Sequence, residues 1–170
     1  MKIGILGGSF NPIHDGHIQI ANLAIKKLDL DQVWLIPTSL NPFKGQIEVS
    51  YQDRLDLIEK EIVKYPKIKV KDYQDCSKSS YKMLKKIEVK NRKSNFFFIM
   101  GADNLESLYK WDSFNRLSKS FKIVIFSRGC GFFNLRSLKS SHLLKRYQAS
   151  LIFRIKNINI SSTKIRKNKQ

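Results

Sequence analysis

The chain has 170 residues, two cysteines and no apolar run long enough to cross a bilayer, which excludes a helical membrane protein and a disulfide-stapled miniprotein. With 42% hydrophobic residues, eight glycines and four prolines it can bury a core, and one compact domain over residues 1–166 with a basic tail at 167–170 is expected. The net charge is +18 and unevenly spread: residues 1–85 carry 13 basic and 10 acidic side chains, residues 86–170 carry 19 and 4, and no acid follows Asp112. Such a field attracts polyanions, whether phosphorylated small molecules or nucleic acid. A Lys-, Ile- and Asn-rich composition of the kind that A/T-rich codons produce accounts for the excess equally well. The start, Met1 to Gly8, lacks the long apolar stretch and small-residue cleavage site of a secretory signal. A reducing cytoplasm is therefore expected, with Cys76 and Cys130 as free thiols.

Six apolar runs alternate with helical periodicity. Strands are expected at 2–6, 32–36, 68–73, 95–100, 121–126 and 151–155. Phe96 to Met100 and Ile123 to Phe126 are continuously apolar, as a strand covered on both faces requires. Between the first two strands, Ala21, Ala24, Ile25 and Leu28 repeat at helical spacing. Ser50, with Asp53 three residues on, announces a second helix whose stripe is Leu55, Ile58 and Ile62. Further helices are expected at 80–89, 113–118 and 135–147. This alternation implies an α/β fold, a Rossmann-like doubly wound, mainly parallel sheet with helices on both faces.

The first strand runs into Gly7-Gly8-Ser9-Phe10-Asn11-Pro12-Ile13-His14-Asp15-Gly16-His17, followed at once by a helical pattern. In a doubly wound fold, ligands bind beyond the carboxyl ends of the strands, and the first strand-to-helix connection is the usual phosphate site. Glycines let the backbone approach a ligand closely, and a helix N-terminus offers N–H groups and the positive end of its dipole. His14 and His17 sit three apart, so both imidazoles can point the same way at the first turn. A tight turn and a helix cap would explain the same residues taken singly. The string is neither GxGxxG nor GxxxxGK[ST]. Near the other end, Ser161-Ser162-Thr163 before Ile165 reads as a second helix N-terminus, with Arg166 about one turn further on the same side.

Together the two strings resemble the nucleotidyltransferase superfamily that carries a GxFxPxHxGH turn and a C-terminal SSTxIR. The likeness is greatest to the bacterial nicotinate-nucleotide adenylyltransferases, which convert nicotinate mononucleotide and ATP to deamido-NAD and pyrophosphate. Three intermediate stretches support the narrower family: Pro37 to Lys44, similar to its PxxxPxK loop; Ser80-Tyr81, similar to the start of its SYT segment; and Gly101-Ala102-Asp103 followed by Trp111, similar to its GxDxxxxxxxW stretch. Lys82 stands where that family has Thr, Phe43 where it often has His, and the chain stops four residues after Arg166, where relatives usually continue through another helix.

The resemblance implies direct in-line transfer without a protein nucleophile. His14 and His17 would contact the ATP phosphates, and Ser162 and Arg166 the departing pyrophosphate portion. Gly7, Gly8, Ser9 and Phe10 would form a floor shared by both substrates, and Gly101 and Asp103 would lie near the adenosine ribose. Lys44, Tyr81, Ser161 and Thr163 are further candidate ligands. Trp111 either stacks on the pyridine ring or is a core residue, and Arg128 is either a ligand or a surface cation. Mg²⁺ would arrive with ATP, held by substrate oxygens and water, with no protein metal ligand of its own. Rival readings are a related enzyme acting on nicotinamide mononucleotide or phosphopantetheine, and a non-catalytic nucleic-acid-binding protein.

Overall fold

The computed structural model describes residues 1–38, 49–73, 79–128 and 150–155. Among these residues six strands form one sheet: β1 (Lys2–Gly8), β2 (Gln32–Pro37), β3 (Ile68–Val70), β4 (Asn95–Gly101), β5 (Lys122–Arg128) and β6 (Ser150–Ile155). Their spatial order is β3-β2-β1-β4-β5-β6, and every pairing is parallel. The order reverses on either side of β1, so the crevice beside its carboxyl end is the topological switch point.

Among the described residues four α-helices cover the two faces: α1 (Asp15–Leu28), α2 (Tyr51–Ile62), α3 (Ser80–Lys90) and α4 (Phe114–Ser120). The two-residue repeat of the strands divides the core. Ile3, Ile5, Trp34, Ile36, Phe98, Met100, Ile123 and Ile125 face Met83, Leu84 and Ile87 of α3 and Phe114 and Leu117 of α4. Leu6, Val33, Leu35, Ile99, Val124 and Phe126 face Ile18, Ala21 and Ala24 of α1 and Ile58 and Ile62 of α2. Both faces are therefore apolar, which is why the runs in β4 and β5 show no polar alternation.

All six expected strands are present, with shifted ends. β3 stops at Val70 rather than Tyr73, although Lys71 N–H still bonds the Leu35 carbonyl at 3.0 Å. β5 starts at Lys122 because Phe121 caps α4 and turns its ring into the core. α2 begins after Ser50, whose hydroxyl accepts from Asp53 N–H at 3.1 Å and donates to the Asp53 carboxylate at 2.7 Å. Asp53 thus reinforces the cap through the serine hydroxyl. The helix expected at 135–147 lies outside the described residues. Two short 3-10 turns, Ala102–Glu106 and Leu108–Lys110, were not foreseen, since Gly101 to Asn104 carries no apolar period.

Ile99 lies fully buried in β4 between β1 and β5. Ile99→Ala is expected to lower the unfolding free energy by about 2–5 kcal/mol through lost burial and a residual cavity. Urea denaturation followed by circular dichroism measures it.

Candidate active site

Because all strands are parallel, Gly8, Pro37, Gly101, Arg128 and Ile155 end their strands on one edge of the sheet. The turn from β1 to α1 is built there. A Cβ at Gly8 would sit 3.2 Å from the Phe10 ring, tighter than ordinary packing, whereas one at Gly7 would lie an ordinary 3.7 Å from Phe98 Cε2. Packing therefore constrains Gly8, while at Gly7 the protein itself leaves room. Phe10 adopts φ 43°, a left-handed conformation uncommon for a bulky residue, and its ring is fully buried. The ring meets His17 edge-on with centroids 4.8 Å apart. Phe10 as a whole, main chain included, is buried beneath the turn.

His14 is the N-cap of α1, and His17 is the third residue of the helix. His14 Nδ1 accepts from Gly16 N–H at 3.1 Å, and His17 Nδ1 accepts from His14 N–H at 3.3 Å. The rings stack with centroids 3.8 Å apart and planes 27° apart. An imidazole that accepts at Nδ1 carries its proton on Nε2. The cap therefore assigns both rings the same tautomer, with Nε2–H as the donor. Capping and ligand binding, alternatives when the residues were read from sequence, become compatible in this geometry: one nitrogen holds the helix and the other is polarised as a donor.

The sequence reading missed Arg54. It lies on the inward face of α2, one turn before Ile58, and is 1% exposed. Its Nη1 donates to the Ser9 carbonyl at 2.6 Å and to the Thr38 carbonyl at 2.9 Å. Thr38 N–H in turn bonds the Gly8 carbonyl at 2.9 Å, the last rung between β1 and β2 before the two segments part. The Tyr51 ring lies 5.3 Å from the guanidinium carbon. Tyr51 donates its hydroxyl to Asp72 at 2.8 Å, and burial followed by that hydrogen bond holds its pKa well above the usual phenol value. The available signal was an arginine in register with the apolar stripe of an amphipathic helix.

At the end of β4, a Cβ on Gly101 would collide with the Asp103 carboxylate, and Asn104 Nδ2 donates to the Gly101 carbonyl at 3.2 Å. A larger residue at Gly101 would therefore displace the Asp103 carboxylate from its place in this turn. Trp111 packs edge-on to Phe98, centroids 6.5 Å apart, and its Nε1 is buried without a hydrogen-bond partner among the described residues. It also lines a cavity of about 800 Å³ with Lys82, Tyr109, Asp112, Ser113 and Arg116. Core contact and cavity lining therefore coexist in this residue. Phe98 lies between Gly7 and Trp111 and so links the turn after β1 to that side of the sheet. Tyr81 is half-buried in α3 against the same core. Lys44, Ser161, Ser162, Thr163 and Arg166 lie outside the described residues, and Arg128 is placed only as the last residue of β5.

A doubly wound sheet with an imidazole-capped, glycine-containing turn at its switch point defines a nucleotide-binding α/β protein. Residues 5–168 match the model of the cytidylyltransferase-like family. The probable nicotinate-nucleotide adenylyltransferase of Agrobacterium fabrum is 39% identical over 131 residues, covering 75% of this chain and 70% of that protein. The probable nicotinate-nucleotide adenylyltransferase of Pelagibacter ubique is 35% identical over 169 residues, covering 98% and 92%. Among solved structures, the Plasmodium falciparum nicotinic acid mononucleotide adenylyltransferase complexed with NaAD superposes with a TM-score of 0.78 at 22% identity, over 98% of this chain and 82% of that one. The last comparison supports the fold. The chain belongs to the cytidylyltransferase-like family and, within it, to the nicotinate-nucleotide adenylyltransferases.

His14→Ala removes the side-chain cap of α1 and is expected to lower stability by roughly 0.5–2 kcal/mol, with His14→Asn recovering most of the loss. Equal denaturation midpoints for wild type and His14→Ala would contradict the cap.

Proposed function

We propose that the chain is an adenylyltransferase that joins ATP and nicotinate mononucleotide, giving deamido-NAD and pyrophosphate. A phosphate oxygen of the mononucleotide attacks the α-phosphorus of ATP, a new P–O bond forms, and the bond to the β-phosphate oxygen breaks as pyrophosphate leaves. Catalysis of this kind is positioning plus stabilisation of charge on the transferring group. The observation that carries the reading is the His14–His17 cap, which polarises two Nε2–H donors at the N-terminus of α1.

In this reading His14 and His17 contact the ATP phosphates, with His17 nearest the α-phosphate. Gly7, Gly8 and Ser9 supply backbone to both substrates, Phe10 lies buried beneath the turn, and Gly101 and Asp103 lie by the adenosine ribose. Trp111 stacks on the pyridine ring, supported by its place on the wall of the 800 Å³ cavity. Ser162 and Arg166 receive the pyrophosphate portion; Lys44, Tyr81, Arg128, Ser161 and Thr163 are assigned to the substrates on the family resemblance alone.

Mg²⁺ enters with ATP and neutralises phosphate charge. It would be held by phosphate oxygens and water. Among the described residues no helix is long and apolar enough to cross a membrane.

Purified protein with ATP and Mg²⁺ is expected to release pyrophosphate fastest with nicotinate mononucleotide, more slowly with nicotinamide mononucleotide, and not with phosphopantetheine. No release with any of the three would refute the proposal. His17→Ala is expected to lose roughly 10²–10³ in turnover, the cost of removing one positioned donor, whereas a loss below about tenfold would remove His17 from this role. Trp111→Ala is expected to raise KM for the mononucleotide and leave that for ATP unchanged. An equal rise in both would count against stacking.

A further inference from the structure

Arg54 is a buried cation that the transfer chemistry described above does not use. Among the described residues no carboxylate pairs with it: the nearby Asp72 accepts from Tyr51, and the guanidinium instead bonds the Ser9 and Thr38 carbonyls. Burial pulls its pKa below the usual arginine value, yet a guanidinium remains cationic at neutral pH. Fold stability alone does not call for such a charge, since an apolar side chain of similar volume would cover the same stripe of α2 without desolvating an ion.

Its position suggests another use. The Ser9–Phe10 peptide is trans, because the only cis bond among the described residues is Asn11–Pro12. In a planar trans peptide the C=O and N–H point in opposite directions. With the Ser9 carbonyl held by Arg54 at 2.6 Å, the Phe10 N–H must point away from α2. The same Phe10 holds φ 43° with its ring fully buried, so the turn is restrained on one side by the guanidinium and on the other by the ring. Restraint of this kind keeps a backbone conformation that the residue would not adopt unaided.

We infer that Arg54 is a positioning residue for phosphate chemistry: by gripping the Ser9 carbonyl it fixes the main chain of the turn that leads into the His14–His17 cap, and it places a positive charge behind that turn. The inference rests on the adenylyl-transfer reading of the site and adds to it a residue that touches no substrate. It also accounts for the second carbonyl. Gripping Thr38 as well as Ser9 holds the ends of β1 and β2 at a set separation where their ladder stops.

The test compares full-length wild type, Arg54→Lys and Arg54→Met by steady-state kinetics, calorimetric binding of inorganic triphosphate, and thermal unfolding. Arg54→Met, still unfolding cooperatively, is expected to lose about 10²-fold in kcat and to bind triphosphate about tenfold more weakly, on the scale of one lost electrostatic contact. Arg54→Lys keeps the charge but not the two-carbonyl grip, so triphosphate binding should return to within about threefold of wild type while kcat stays about tenfold low. Folded Arg54→Met with kcat and triphosphate affinity within about threefold of wild type would overturn the inference, as would equal binding defects in the two variants. If Arg54→Met does not fold, Arg54→Lys decides alone, and wild-type kcat in it overturns the proposal. Should wild type release no pyrophosphate with any acceptor, the adenylyl-transfer reading fails separately, and the triphosphate series still tests Arg54.

Discussion

The imidazole cap on α1 is the interaction on which the proposed chemistry depends. A helix N-terminus has unsatisfied N–H groups, and serine, threonine or aspartate commonly answers them. Here His14 and His17 do so through Nδ1, and the stacked rings lock one another in place. Ordinary capping residues end at the helix. An imidazole extends past it, because its second nitrogen lies across the ring and carries the proton that the first cannot hold. The helix thereby sets both the tautomer and the direction of two donors, with the positive end of its dipole behind them.

The sheet explains why this cap sits where a nucleotide can reach it. Parallel pairing throughout sends every strand's carboxyl end to one edge, and the order of strands reverses around β1. β1 therefore delivers its turn to a crevice flanked by β2 and β4. Beneath that turn lie a buried aromatic, Phe10, and a buried cation, Arg54, each restraining the backbone from its own side. The turn is thus held by packing in the free protein. On the other side of the crevice Phe98 connects Gly7 with Trp111, whose cavity also takes Lys82 and Arg116. Lys82 and Arg116 on that wall are accompanied by Asp112.

Much of this was legible in the residues themselves. The continuous apolar runs of β4 and β5 announced strands covered twice, and the two core clusters bear that out position by position. Ser50 marked the start of α2 through its short-range hydrogen bonds, which depend only on neighbouring residues. What local pattern could not convey was anything decided by distant contacts. The 3-10 turns after Gly101 follow from Asp103 and Asn104 folding back on that glycine, with no periodic stripe to reveal them. Arg54 was hidden because a charged residue on a helix ordinarily belongs to the solvated face, and only the carbonyls of Ser9 and Thr38, 45 and 16 residues away, explain its burial. His14, His17 and Trp111 were each weighed between structural and functional roles; the cap and the cavity wall show geometries in which a side chain can serve both.

The most direct test of the imidazole cap is a long-range proton–nitrogen NMR spectrum of the histidine rings, recorded while a non-hydrolysable ATP analogue is titrated in. His14 and His17 should both appear as Nε2–H tautomers in the free protein, and their Nε2 signals should move as the analogue binds. Nδ1–H tautomers, or saturation by the analogue with both Nε2 signals unmoved, would contradict the account.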